Sequence, residues 1–237
     1  MLVVGCVSQK GGVAKSSLAR LLARELAAQG RSVLLADLDV LQATSVEWAR
    51  RRAASGRKPV VRAECFDGLE PALRAARRDL ADCLVLDARG FADAQTLELA
   101  HAADALLIPS GLAVDDLLPT VRLAHELLSQ GIPAERIAIA LCRAGDSASE
   151  IEEAALYVRE AGYHCLPHAW PEKAGYRRAH DEGRAATEVT HASLRHKAEA
   201  FARDAVAFVT SRAPAGPPPE AKQKPQAKQK PGAKQKH

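Results

Sequence analysis

The sequence lacks the cysteine and histidine spacings of stapled or zinc-binding proteins. Its five cysteines, an odd number, stand at positions 6, 65, 83, 142 and 165 without a CxxC pair, and no HExxH pattern occurs. These absences argue against a disulfide framework and against a zinc site. Because Cys6, Cys83 and Cys142 lie in apolar runs, we expect reduced thiols in a core and a cytoplasmic location.

Long apolar runs are also missing. No stretch approaches the roughly 18 consecutive apolar residues that a membrane-spanning helix needs. The N-terminal MLVVGCV has neither a basic segment nor a cleavage site, so it indicates a first strand rather than a signal peptide. The remaining composition, with 47% hydrophobic and 26% charged residues in 237, is typical of a globular protein.

Valine-, isoleucine- and leucine-rich runs alternate with longer segments of helical period. Strands are predicted at 2–8, 32–38, 59–63, 83–87, 104–109, 136–142 and 163–166. Helices are predicted at 15–29, 44–54, 69–80, 93–102, 114–130, 147–161, 172–182 and 191–212. Because near-continuous apolar strands alternate with helical crossovers, the sequence predicts an α/β fold whose mostly parallel, twisted sheet of about seven strands has helices on both faces.

The net charge of +4 comes from the C-terminal end. Residues 220–237 hold six lysines and one glutamate, in three copies of an AKQK unit, so the other residues sum to −1. The proline-rich APAGPPPE at 213–220 cannot continue a helix. We therefore predict a folded domain at 1–212, followed at 213–237 by a linker and a disordered basic tail.

One short segment, SQKGGVAKSS at 8–17, follows the first predicted strand and opens the first predicted helix. Backbone N–H groups from Gly11 to Ser16 would face one concavity at the positive end of the helix dipole. Lys15 would reach the β- and γ-phosphates of a nucleotide, and the Ser16 hydroxyl would ligate Mg²⁺. The alternative is a lysine-rich turn that binds nothing.

The pattern KGGxxK[ST], with Lys10 as its first lysine, resembles the deviant Walker A motif of the ParA/MinD family of P-loop ATPases, the SIMIBI class. The resemblance implies a P-loop NTPase fold, ATP and Mg²⁺ as cofactors, and ATP hydrolysis, which we expect to be slow because alanine stands at position 14. It also implies that Lys10 crosses the interface of an ATP-induced homodimer. The implied nucleotide-binding residues are Gly11, Gly12, Val13, Ala14, Lys15, Ser16 and Ser17.

Two further strand ends resemble motifs of the same family. In SVLLADLDVLQ, the resemblance implies that Asp39 orients the attacking water and that Asp37 lies beside the Mg²⁺ shell. In DCLVLDARG, a Walker B-like strand, it implies that Asp87 holds a Mg²⁺-bound water. The catalytic set is thus Lys10, Lys15 and Asp39, and the metal set is Ser16, Asp37 and Asp87. The carboxyl ends of parallel strands are where open α/β sheets bind ligands. For the two aspartates after the second strand, a capped strand end is the alternative.

Three positions depart from the family pattern. Ala14 replaces a glycine before the Walker lysine, and a Cβ costs on the order of 1 kcal/mol there if φ is positive. DLDVLQ stands where Asp-Pro-Gln is common. Cys142 stands where an adenine-contacting asparagine is frequent, which leaves backbone groups near Pro167 to read the base.

The resemblance covers about residues 1–210 and is strongest to small plasmid-type ParA proteins. It implies a cytoplasmic, nucleoid-associated ATPase for DNA segregation that binds DNA non-specifically and is stimulated by a ParB-like adaptor. Basic residues suggested for DNA contact are Arg177, Arg178, Arg184, Lys222 and Lys228. A solvated helical face and a solubilising tail are the alternatives for these residues. Positioning of a protein cargo and a non-hydrolysing scaffold remain alternative functions, whereas a membrane cycle is disfavoured because the tail has no apolar face.

Overall fold

The computed structural model describes residues 1–90 and 94–214. Its strands are β1 Leu2–Cys6, β2 Val33–Asp37, β3 Arg62–Cys65, β4 Cys83–Asp87, β5 Ala105–Ser110, β6 Ile137–Ala144, β7 His164–Cys165 and β8 Trp170–Pro171. Its α-helices are α1 Lys15–Ala28, α2 Thr44–Ala54, α3 Leu69–Arg78, α4 Ala94–Ala102, α5 Val114–Ser129, α6 Ala148–Glu160, α7 Ala174–Asp181 and α8 Ala192–Thr210. The α/β alternation predicted from the sequence is confirmed.

The strands form a parallel sheet in the order β3-β2-β4-β1-β5-β6-β7, and β8 pairs with β6 beyond β7. Alternate strand residues face opposite sides: Val4 and Cys6 join one core, and Val3 and Val7 join the other. The first core packs against α1, α2, α7 and α8, and the second against α3, α4, α5 and α6. The sheet is therefore covered on both faces, as predicted.

Two strands differ from the sequence-based prediction. The third was expected at 59–63 but runs from Arg62 to Cys65, in register with β2 up to the pair Asp37–Cys65. Pro59 has no N–H to donate to a sheet ladder, so the apolar run around it cannot pair throughout. The two-residue β8 was missed because its length gives no periodic signal.

In the described part of the chain, no helix is both long enough and apolar enough to cross a membrane. The predicted tail, with Lys222 and Lys228, lies outside the described residues. The domain boundary near residue 212 stays a prediction.

Candidate nucleotide-binding site

The order of the central strands brings three sequence motifs to one edge of the sheet. β4 lies between β1 and β2, with Asp87 in register with Cys6 on one side and with Asp37 on the other. All three strands are parallel, so the loop after β1 and the two aspartates meet at their carboxyl ends. Lys15, the first residue of α1, follows that loop.

Asp87 is the centre of this cluster. One of its oxygens, Oδ1, accepts hydrogen bonds from Lys15 Nζ at 2.8 Å and from Ser16 Oγ at 3.1 Å. The other, Oδ2, accepts one from Ser45 Oγ at 2.7 Å. The carboxylate is 1% exposed, so it depends on these donors for stabilisation of its charge. Asp87 thus holds together the Walker lysine and the hydroxyl that follows it.

Asp37, also buried, accepts two backbone N–H groups, from Asp39 at 3.1 Å and from Ser45 at 2.7 Å. Burial, and then the nearby charge of Asp87, raise the pKa of Asp37. Asp39 itself is half-buried; its Oδ1 accepts the N–H of Gln42 at 3.2 Å. With Lys10, Lys15 and Gln42, Asp39 lines a cavity of about 300 Å³.

The donor set around Ser16 fits Mg²⁺. A hydroxyl and the two carboxylates of Asp37 and Asp87 are hard oxygen ligands. The pKa of Asp37 is raised first by burial and then by the charge of Asp87, and a cation would offset that charge. Within residues 1–90 and 94–214 no group of three or more His, Cys, Asp or Glu side chains could hold a metal alone. Mg²⁺ typically keeps several waters and takes substrate phosphate oxygens, so a small protein donor set is what it requires.

Ala14, which stands where the family pattern has glycine, adopts a left-handed backbone conformation. Its φ is 75° and its ψ is 20°, and Gly12 has a φ of 79°. For an alanine such a conformation costs about 1–2 kcal/mol. We therefore expect the strain at Ala14 to lower the stability of the folded chain.

Lys10, which the family resemblance assigns to a partner's nucleotide, contacts its own chain. Its Nζ forms an ion pair with Asp116 in the first turn of α5 and lies 3.4 Å from the carbonyl oxygen of Asp115. The lysine side chain is 48% exposed. A role across a dimer interface would therefore require Lys10 to leave Asp116.

Pro167 and Cys142 are the two positions that the sequence analysis connected with the base. Pro167 is exposed and does not line the three described cavities that border the phosphate loop. Cys142 is buried, and burial raises the pKa of its thiol. A cavity of about 60 Å³ beside Ala14 and Ser17 is instead lined by residues that sequence reasoning missed, including Arg143, Trp170, Tyr176 and His180. No local pattern marks them, because they come from three separate segments.

The predicted DNA-contacting arginines lie on or just after α7. Arg177 is exposed and paired with Glu172, and Arg178 is exposed. Arg184 is only 23% exposed and bonds to Glu182 at 2.7 Å, so it offers little charge to a ligand.

The fold adds basic residues from α2 and from the segment that follows it to this surface. Arg51 approaches the carbonyl of His180 at 3.5 Å, and Arg57 approaches that of Glu182 at 3.4 Å. We call the cations of this region the α2–α7 basic surface: Arg51, Lys58, Arg177 and Arg178, which are exposed, and Arg57, which is half-buried. Its α2 members were missed because they are more than 100 residues from α7 in the sequence.

A parallel α/β sheet with a phosphate loop before α1, and with carboxylates at the two neighbouring strand ends, defines a P-loop nucleotide-binding protein. Residues 4–194 match the model of the CobQ/CobB/MinD/ParA nucleotide binding domain. The chain belongs to this family. The predicted membership of the ParA/MinD family of deviant Walker ATPases is thereby confirmed.

Solved structures of similar fold include members of this family. The cell division ATPase MinD of Pyrococcus furiosus is 19% identical, with a TM-score of 0.69 over 87% of this chain and 99% of that one. MinD of Pyrococcus horikoshii, solved with Mg-ADP, is 17% identical, with a TM-score of 0.67 over 90% and 98%. A putative plasmid partition protein of Borrelia burgdorferi, bound to AMPPNP, is 16% identical, with a TM-score of 0.64 over 87% and 98%. No curated protein matches this chain.

Proposed function

We propose that this protein is an ATP-driven partitioning ATPase that dimerises on ATP, binds DNA non-specifically and hydrolyses ATP slowly. The observation that carries the proposal is the Lys15–Asp87–Ser16 cluster beside a loop with a second lysine, Lys10. A structural ion pair alone would not need a hydroxyl, a glycine-rich loop and a second buried carboxylate at the same sheet edge.

The chemistry follows from charge and position. Lys15 moves from Asp87 to the β- and γ-phosphates and offsets their charge, and Asp39 orients the attacking water in the adjoining cavity. Ser16, Asp37 and Asp87 would hold Mg²⁺, which supplies further neutralisation of phosphate charge. Phosphoryl transfer needs no covalent nucleophile from the protein, which agrees with the absence of a nucleophile–base pair among these side chains.

The switch rests on Lys10. In this structure Lys10 forms an ion pair with Asp116, and in the proposed dimer it turns to the partner's nucleotide. Exposed ion pairs contribute at most about 1 kcal/mol, so breaking the Lys10–Asp116 pair requires little free energy. A ligand that binds the dimer better than the monomer can therefore shift the population.

DNA binding is assigned to the α2–α7 basic surface, helped by the lysine tail. Arg51, Lys58 and Arg178 are exposed and form no ion pair within the described chain. Contacts of this kind to phosphates are insensitive to sequence and sensitive to salt. A ParB-like adaptor that stimulates hydrolysis would complete the segregation cycle.

The test measures ATP turnover, oligomeric state and DNA binding of the full chain with Mg·ATP. We expect slow turnover that DNA or an adaptor raises, and a dimer that forms with ATP and not with ADP. Lys15→Ala should abolish both, because the phosphates lose their main counter-charge. Lys10→Ala should retain nucleotide binding but lose the dimer.

Background turnover that Lys15→Ala leaves unchanged would favour a non-hydrolysing scaffold. Turnover without any DNA affinity would favour the positioning of a protein cargo.

A further inference from the structure

Arg143, the residue before the end of β6, has a backbone conformation that residues with side chains rarely adopt. Its φ is 56°, in the left-handed region. It lies at an irregularity of β6, where β8 pairs with Cys142 on one side and with Ala144 on the other. A bulge re-aims the side chain that it carries. Strain borne by an arginine, where glycine or asparagine would fit more easily, points to a function of the side chain.

The guanidinium of Arg143 lies against the phosphate loop. Its Nη1 donates to the carbonyl oxygen of Gly12 at 2.7 Å, and its Nε donates to Glu172 Oε2 at 3.1 Å. Glu172 also pairs with Arg177 of α7. Arg143 borders both the cavity of about 60 Å³ beside Ser17 and a cavity of about 460 Å³ beside Lys10.

The contact with Gly12 fixes the orientation of one peptide group of the loop. The Gly12–Val13 peptide is trans, so its N–H points opposite to its C=O. With the carbonyl turned to Arg143, the Val13 N–H points away from that arginine. Gly12, with its φ of 79° and no Cβ, is free to let this peptide rotate if the arginine is removed.

We propose that Arg143 is a positioning residue for nucleotide binding: by holding the Gly12 carbonyl, it keeps an N–H rather than a carbonyl oxygen turned to the phosphates. A carbonyl facing a phosphate would repel it, whereas an N–H donates to it. Glu172 fixes the direction of the guanidinium. The proposal rests on nucleotide binding at the phosphate loop and is independent of the DNA role.

Three variants of the full chain separate this role from a structural one: Arg143→Gly, Arg143→Ala and Arg143→Lys. Affinity for Mg-ADP and for Mg·AMPPNP is measured by calorimetry, and the melting temperature is measured without nucleotide. We expect the Gly and Ala variants to bind at least about tenfold more weakly. Arg143→Lys, which keeps one donor, should recover part of that loss.

The melting temperatures of the variants distinguish a positioning role of Arg143 from a structural one. Arg143→Gly relieves the left-handed strain, so it should melt no lower than the wild type and above Arg143→Ala, by roughly 2–4 °C. We therefore expect Arg143→Gly to bind nucleotide more weakly than the wild type while being at least as stable.

An Arg143→Gly variant that binds nucleotide like the wild type would overturn the proposal. So would a loss of affinity that follows a loss of melting temperature across all three variants. If the wild type itself binds neither nucleotide, the nucleotide site is refuted, and that result is distinguishable from a failure of Arg143 alone.

Discussion

Ala14 shows how a single residue can break a motif's pattern and keep its geometry. The position demands a positive φ, and the chain meets the demand with an alanine at 75°. The surrounding structure holds this conformation: the N–H of Leu18 bonds to the Ala14 carbonyl at 2.9 Å, and the side chain packs against the core beneath α1. We therefore expect the cost to fall on stability rather than on ligand binding.

We predict that Ala14→Gly raises the free energy of unfolding by about 0.5–1 kcal/mol, since relief of strain outweighs the extra entropy of glycine in the unfolded chain. Affinity for Mg-ADP should change less than about threefold. Denaturant unfolding and calorimetry measure both quantities. Leu80→Gly is the matched control, because Leu80 also has a positive φ, of 51°, and is 85% exposed in the turn after α3. An affinity gain of tenfold or more in Ala14→Gly alone would mean that its Cβ obstructs the phosphates.

At the residue scale, His180 makes the stability of the protein depend on pH. Burial, followed by the charges of Arg20 and Arg51, lowers the pKa of His180 to about 4. Its Nδ1 lies 3.3 Å from Ser17 Oγ. In the unfolded chain the imidazole titrates near its ordinary value, so stability is complete above that value and falls as the pH drops from it towards 4.

We expect the wild type to lose about 2 kcal/mol of unfolding free energy between pH 7 and pH 5 relative to His180→Gln, which has no proton to gain. Urea unfolding at the two pH values measures the difference. His196→Gln, at a site 92% exposed, is the control and should follow the wild type. Parallel pH dependence of wild type and His180→Gln would contradict the assignment.

At the scale of elements, α2 is joined closely to the segment after α7. Arg52 is buried and makes a two-pronged bond to Glu188, at 2.6 Å and 2.9 Å. Its Nη1 also donates to the carbonyl of Gly183 at 3.2 Å. Gly183 has a φ of 69°, and a Cβ there would lie 2.3 Å from the backbone N of Arg52. Only glycine allows the two segments to approach this closely.

We therefore predict that Gly183→Ala destabilises the fold by at least about 2 kcal/mol more than Gly162→Ala does. Both positions have positive φ, but a Cβ at Gly162 would meet nothing within 4 Å. The pair thus shares the cost of backbone strain and differs in the backbone clash. Thermal and denaturant unfolding of the two variants give the comparison, and equal losses would mean that α2 can shift away without cost.

At the scale of the whole molecule, the two sheet faces differ in what they present. The face of α1, α2, α7 and α8 carries the α2–α7 basic surface, and α3 on the opposite face has arginines mixed with acidic partners. Only assembly of the complete sheet brings Arg51 and Arg178 to one side.

We predict that Arg51→Ala combined with Arg178→Ala weakens DNA binding in Mg·ATP. The negative slope of log K against log salt concentration should become smaller in magnitude by about 2. Gel shifts at several salt concentrations give the slope. Arg74→Ala combined with Arg77→Ala removes the same charge from the exposed side of α3 and should change little. Equal effects of the two pairs would indicate a response to net charge only. Deletion of 220–237 should likewise weaken DNA binding and flatten the slope, and an unchanged gel-shift midpoint at two salt concentrations would exclude a role for the tail.

The sequence by itself determined the α/β alternation, and it predicted Lys15, Ser16, Asp37, Asp39 and Asp87 as site residues, because those signals are local: apolar period, glycine spacing and carboxylates at strand ends. Only the tertiary structure decided that Lys10 pairs with Asp116, that Arg143 donates a hydrogen bond to the Gly12 carbonyl, and that α2 contacts α7. These contacts join residues separated by about 100 positions or more. The packing of helices on a twisted sheet, which no local pattern encodes, sets such contacts.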